Sequence, residues 1–214
     1  MSIAAQHDSR TRLLEAAQNV FRTKGYAAST VDDICEAAGV TKGSFFHHFK
    51  SKEELTLSAA AHWSTWTDAL FAAAPYHQAA DPRDRVLGYV DFRAAILNRD
   101  VPDFTCLLGT LVQETYATHA AIRTACDKGM STHISNLTQD IEAAKQMYAP
   151  DAPWSAESIG YFIQAVLQGS FVFAKAKNGS EVARDNLSHL RRYLETQFPQ
   201  PRQPQPKESN EHDQ

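Results

Sequence analysis

Apolar side chains recur three and four positions apart along most of the chain, and no stretch keeps the strict alternation that a half-buried strand needs. The pattern predicts an all-α protein of about nine helices. The first runs from about Ser9 to Lys24, with Leu13, Leu14, Ala17, Val20 and Phe21 facing inward, Gly25 in the place of a C-terminal cap and Tyr26 plugging the join. Thr30 with Asp33 three positions on is a variant capping box opening a short helix through Val31, Ile34, Cys35 and Ala38, which Gly39 ends. Thr41 then suits the N-cap of a helix from Lys42 to His48, and two helices joined by so short a turn must cross steeply. Phe45 and Phe49 share its inward face, leaving Lys42, Ser44, His47 and His48 outward. Ser51 and Glu54 form a full capping box that starts a fourth helix through about Ala74.

Beyond it, Asp81-Pro82 opens a helix to about Arg99, Val101-Pro102 breaks it, and Asp103 opens another through Leu107, Leu108 and Leu111. Longer helices follow over about 117–147 and 154–177, and a last one over 181–198. Ile159, Phe162, Ile163, Val166 and Phe173 form an apolar stripe beside the small residues Gly169, Ser170 and Ala174, and Leu187, Leu190 and Leu194 repeat on the last helix. Such a pair of helices can dock on its two-fold mate as a four-helix bundle, so a homodimer is expected, with intrachain packing accounting for part of both stripes. The expected organisation is an N-terminal three-helix domain over residues 1–52, a larger helical domain over 53–198 and a proline-rich disordered tail over 199–214.

Composition adds limits. At 214 residues, 43% apolar and 21% charged, the chain can bury one small core and one larger one. No basic flank with an apolar stretch opens it and nowhere do about 18 apolar residues run together, so a cytoplasmic protein with no membrane partner is expected. Cys35, Cys106 and Cys126 form neither a disulfide framework nor a CxxC clamp. The formal net charge of −4 does not advertise nucleic acid, and residues 1–55 balance seven basic against seven acidic groups. Lys42, Lys50 and Lys52 nevertheless cluster around the helix that presents polar groups, a short element suited to a DNA major groove. The His47-His48 pair does not make a metal site, because neighbouring helical positions point about 100° apart. With no GxGxxG, GxxxxGK[ST], HExxH or GxSxG present, neither catalysis nor a cofactor is expected.

The run from Thr30 to Leu55, TVDDICEAAGVTKGSFFHHFKSKEEL, resembles the DNA-binding domain of the tetracycline-repressor (TetR) family, and the likeness extends back through Phe21 and Gly25. The resemblance implies a helix-turn-helix over about 30–49 that reads palindromic operator DNA as a dimer, and a variable helical domain that dimerises and binds a small-molecule inducer. By position it implies that Thr30 and Thr41 bond phosphates, that Lys42, Ser44, His47 and His48 lie in or beside the major groove, and that Lys52 touches the backbone. Phe46 stands where family members often carry tyrosine, and the missing hydroxyl removes a bond worth roughly 1 kcal/mol, for which His47 or Lys50 would compensate. Phe45 is more readily a core residue, with contact to a thymine methyl as its alternative role.

Aromatic and polar groups interleave on the remaining helices, and a mostly apolar cavity with a few polar anchors is a common ligand site. The candidates are Trp63, Trp66, Tyr89, Phe92, Gln113, Tyr116, Phe162 and Gln168, with ordinary core packing as the competing role for each. The segment FTCLLGTLVQE around Cys106 is similar to one in TetR-family repressors that respond to electrophiles or oxidants, and a helix N-terminus activates a thiol. A buried structural cysteine is the alternative. Two reading heads must sit about 34–36 Å apart to enter successive major grooves, and the fourth helix, joining both domains, is the expected lever for an inducer. A helical scaffold that no longer reads DNA is the rival class, and nothing in the residues sets repression over activation.

Overall fold

The computed structural model describes residues 3–200, with side chains from Ser9 onward. The tail from Pro201, and with it most of the segment expected to be disordered, lies outside the described residues. Ten α-helices and one 3₁₀ turn make up the fold, with no strand among the described residues. They are α1 (Ile3–Lys24), α2 (Val31–Ala38), α3 (Lys42–His48), α4 (Lys52–Ala72), α5 (Pro82–Ala95), α6 (Val101–Phe104), α7 (Leu107–Thr115), α8 (Ala120–Tyr148), α9 (Ala156–Lys177) and α10 (Glu181–Gln197). One more helix forms than the periodicity predicts. Thr105 and Cys106 are both extended, so the segment expected to be continuous from Asp103 divides into a single turn and a new helix.

The caps sit where their residue types place them. Thr30 and Asp33 form the reciprocal box on α2, Gly39 ends that helix in the left-handed conformation at φ 61°, and Thr41 and Ser51 cap α3 and α4. The head formed by α1 to α3 packs around Leu13, Phe21, Ile34, Phe45 and Phe49, all essentially inaccessible. This core does not close at residue 52. It runs on through Leu55, Ala59 and Trp63 of α4 and takes in Leu107 and Leu111 of α7 and Ile122 and Cys126 of α8.

A second core joins α5, α8, α9 and α10 around Val86, Val90, Ile141, Ile163, Leu167 and Leu194. Here the expected dimer stripe divides. Ile159, Ile163, Leu187, Leu190 and Leu194 are buried within the chain, whereas Phe162 is 41% exposed, Phe173 is 54% exposed and Tyr193 stands outward beside Phe162 at 5.0 Å between ring centres. The reason is angular. Position 162 lies about 100° around the helix from 163, so the two cannot face one partner.

Candidate nucleic-acid interface and ligand cavity

On α3, Lys42, Phe46 and His47 are exposed, with Phe46 57% accessible, and Ser44 and His48 are half-buried. Thr41 accepts the Ser44 N–H at 3.2 Å, and the Lys42 ammonium meets Asp32 at 2.8 Å on the surface. His48 Nε2 is 2.8 Å from Ser9 Oγ, and its basicity is pushed down by partial burial, then by His47 and Arg10. Thr30 donates its hydroxyl hydrogen to Asp33 at 2.8 Å. Lys24 and Thr30 bind the same carboxylate and hold it at about 2, well ionised.

Two of the expected side chains on this face also serve the head's own packing. Phe45 is fully buried, edge-on to Phe46 at 5.1 Å and tilted on Phe49 at 5.9 Å, the core position of its two readings. Lys52 does not present its charge freely. Its Nζ donates to the carbonyls of Tyr26 and Ser29 at 2.8 and 2.9 Å and lies 4.2 Å from the centre of the Tyr26 ring, so it clamps the turn between α1 and α2.

Behind the head, three neighbouring hollows lie between α4, α5, α7, α8 and α9. An inner one of about 50 Å³ is lined by Trp63, Phe71, Arg93, Cys106, His133 and Gln168, among others. It shares Trp63, Phe71, Arg93 and Phe104 with an outer one of about 240 Å³ that Trp66 also lines. On the other side it shares Cys106 and Gln168 with an opening of about 230 Å³ that holds Gln113, Glu114 and Lys175. Cys106 caps α7, its Sγ accepting the Gly109 N–H at 3.4 Å. Gly109 brings α7 close to Gln168, whose Oε1 would lie 2.1 Å from a Cβ at that position. Of the residues expected to bind ligand, Trp63, Trp66, Cys106, Gln113 and Gln168 thus stand around this set of hollows. Tyr89 hydrogen-bonds the wall residues and lines a further hollow with Tyr76 and His133, which shares Phe71 and His133 with the inner one. The rest are elsewhere. Phe92 packs on Phe71 and Tyr76, Tyr116 is 60% exposed at the end of α7, and Phe162 lies on the outer face of α9.

Residues 13–59 match the family described as bacterial regulatory proteins, tetR family. Over these residues the chain carries the N-terminal domain of that family. The HTH-type transcriptional repressor NemR of Escherichia coli is 25% identical over 204 residues, 92% of this chain and 98% of that protein. The crystal structure of the reduced form of E. coli NemR superposes with a TM-score of 0.72 at 24% identity, over 86% of this chain and 95% of that one. A TetR transcriptional regulator from Chloroflexus aurantiacus superposes with a TM-score of 0.80 at 21% identity, over 91% and 98%.

In this chain the TetR-like head is tied to the cavity walls by two residues that local sequence reading missed. Glu114, at the end of α7, accepts the Tyr26 and Ala27 N–H groups at 3.1 and 2.9 Å. Arg22, near the end of α1, donates to the carbonyls of Pro102 and Asp103 and lies 4.7 Å from the centre of the Trp63 ring. Burial lowers the Arg22 pKa, and Asp103 opposes the shift. Neither contact has a local signal, because the partners are about eighty residues apart in sequence.

The polar wall also carries a pH dependence. Burial, and then the Arg93 charge, hold the His133 imidazole at about 3, so it stays neutral while its unfolded counterpart titrates near 6.5. The unfolded chain therefore binds the extra proton, and stability falls as pH drops from about 6.5 toward 3, by up to about 1.4 kcal/mol per unit for this group. Urea midpoints at pH 7 and pH 5 should differ more for the wild type than for His133→Gln; equal differences would show that His133 does not titrate this way.

Proposed function

We propose that this transcriptional regulator is a repressor that binds palindromic operator DNA as a homodimer and is released by a small molecule entering the hollows behind the head. The observation that carries the reading is α3 itself, capped at Thr41 by the turn after Gly39, with Lys42, Phe46 and His47 outward and Phe45 and Phe49 anchoring it. The exposed face of α9 and α10, with Phe162, Phe173 and Tyr193, supports pairing with a second copy, since so large a set of aromatic groups is unusual on a surface left to water.

Release follows from the ties between head and cavity. Arg22 and Glu114 hold α1 and its following turn to α6 and α7, which are themselves cavity walls, so an occupant that shifts either wall moves the head directly. The fourth helix is thus one connection among several rather than the only lever. Such a ligand must bind the released arrangement more tightly than the DNA-bound one.

The decisive experiment is a gel-shift titration on DNA from upstream of the gene at two salt concentrations. Wild type should bind with an affinity that falls steeply with salt, and Lys42→Ala/His47→Ala should lose about 30-fold or more. No binding by wild type at either salt would leave a helical scaffold as the better account.

A thiol trigger is a second reading, favoured by the position of Cys106. It caps α7 inside the hollows, with the Lys175 ammonium on the same opening, and its helix ends in Glu114. Modification of Sγ would displace the Gly109 N–H and press on Gln168. Under this reading a reactive aldehyde releases DNA from the wild type and not from Cys106→Ser; equal release from both proteins would eliminate it.

A further inference from the structure

Arg93 stands between the inner and outer hollows and belongs to the lining of both. Its Nε donates to Tyr89 Oη at 3.0 Å, and its guanidinium carbon lies 4.5 Å from the centre of the Phe71 ring. Gln164 Nε2 also donates to Tyr89 Oη, at 2.7 Å. An oxygen already accepting from two obligatory donors passes its own hydrogen onward, here to His133 Nε2 at 2.9 Å. The Arg93 side chain is therefore held by its Nε edge, and Nη1 and Nη2 project together.

Those two nitrogens have no hydrogen bond among the described residues, and no carboxylate there lies within ion-pair distance of Arg93. No buried side-chain nitrogen or oxygen of the described residues lacks a partner, so both Nη atoms reach the solvent of the hollows. The rim of the outer hollow adds Arg99 and Asp103, and Asp103 is shared with Arg22, which leaves the positive charge in excess. The remaining walls are mostly apolar, from Trp63, Trp66, Leu70, Phe71 and Phe104, with Thr67 and Asn98 as the other polar residues. A guanidinium end matches the two oxygens of a carboxylate, and an inorganic anion would gain nothing from such walls.

We propose that the inducer is a small organic acid, its carboxylate taken end-on by Nη1 and Nη2 of Arg93 and its aromatic or aliphatic body lying against Trp63, Phe71 and Phe104. The assignment rests on the reading of the chain as a ligand-released regulator and names the class of ligand that its cavity selects.

The test uses the full chain with phenylacetate and octanoate as probes, each beside its neutral amide, read by tryptophan fluorescence and melting temperature. Both acids should bind wild type about 10–100-fold more tightly than their amides. Arg93→Gln should bring acid and amide to the same weak level, Arg93→Lys should keep part of the preference, and Arg99→Gln should keep nearly all of it. Equal or absent binding of acid and amide on wild type overturns the proposal, whatever happens to the fold of the variants. A gel shift on the same samples separates the two readings. Acid preference without any DNA binding removes the regulator and leaves the Arg93 assignment standing; DNA binding without acid preference does the reverse.

Discussion

Phe45→Ala should destabilise the head by about 3–5 kcal/mol and abolish operator binding, although residue 45 is a core position. Its ring is fully buried where α1, α2, α3 and the start of α4 meet, against Phe46 and Phe49. Truncation leaves a cavity under a helix of seven residues, which has too few turns to hold its shape by backbone hydrogen bonds alone. Because the same core continues into α7 and α8, the loss should appear in the unfolding of the whole chain as a lower urea midpoint and not as melting of the head alone. Phe46→Ala is the paired control. With that ring 57% exposed, it should change stability by under about 1 kcal/mol while still weakening DNA binding. If Phe45→Ala keeps both the midpoint and the gel shift of wild type, α3 is not anchored as described.

Gly25→Ala should cost about 3 kcal/mol and cut the connection between head and cavity. Two effects add at this position. Its φ of +86° lies in the region that L side chains occupy at a cost of roughly 1–2 kcal/mol. A Cβ there would also lie 2.6 Å from Glu114 Oε1, so the carboxylate must leave the Tyr26 and Ala27 N–H groups it now satisfies. Glu114→Gln separates the two effects, since it retains one acceptor and leaves the backbone alone; about 1 kcal/mol is expected. The telling measurement is DNA affinity with and without the releasing ligand. Gly25→Ala should respond to ligand less than wild type even at temperatures where it is folded, and an unchanged response would mean that the Glu114 tie does not carry the coupling.

The order of helices, their caps and the inward residues of the head were legible along the chain because they depend on neighbours three and four positions away. Thr30 with Asp33, Thr41, Ser51 with Glu54, and the Phe45–Phe49 pair are signals of this kind, and so is the resemblance they carry. The ligand domain was less legible, and its errors share one cause. An apolar residue on a helix declares that some face is apolar, not which neighbour will cover it. Leu187, Leu190 and Leu194 therefore read equally well as a dimer seam and as the intrachain core they form, and Phe162 read as a cavity residue although its helix turns it outward.

Charged groups were harder still. The resemblance implies that Lys52 touches the DNA backbone, and no local pattern shows that its ammonium also lies over Tyr26, 26 residues back, and binds that residue's carbonyl. By itself, then, the sequence determined an all-helical chain with a TetR-family reading head and the local turns that shape it. Tertiary structure alone decided which aromatic faces stay exposed, that Arg93 meets no carboxylate among the described residues, and that Glu114 and Arg22 bind the head to the cavity wall. Those outcomes depend on pairs of residues far apart in the chain, and no local periodicity records such pairs.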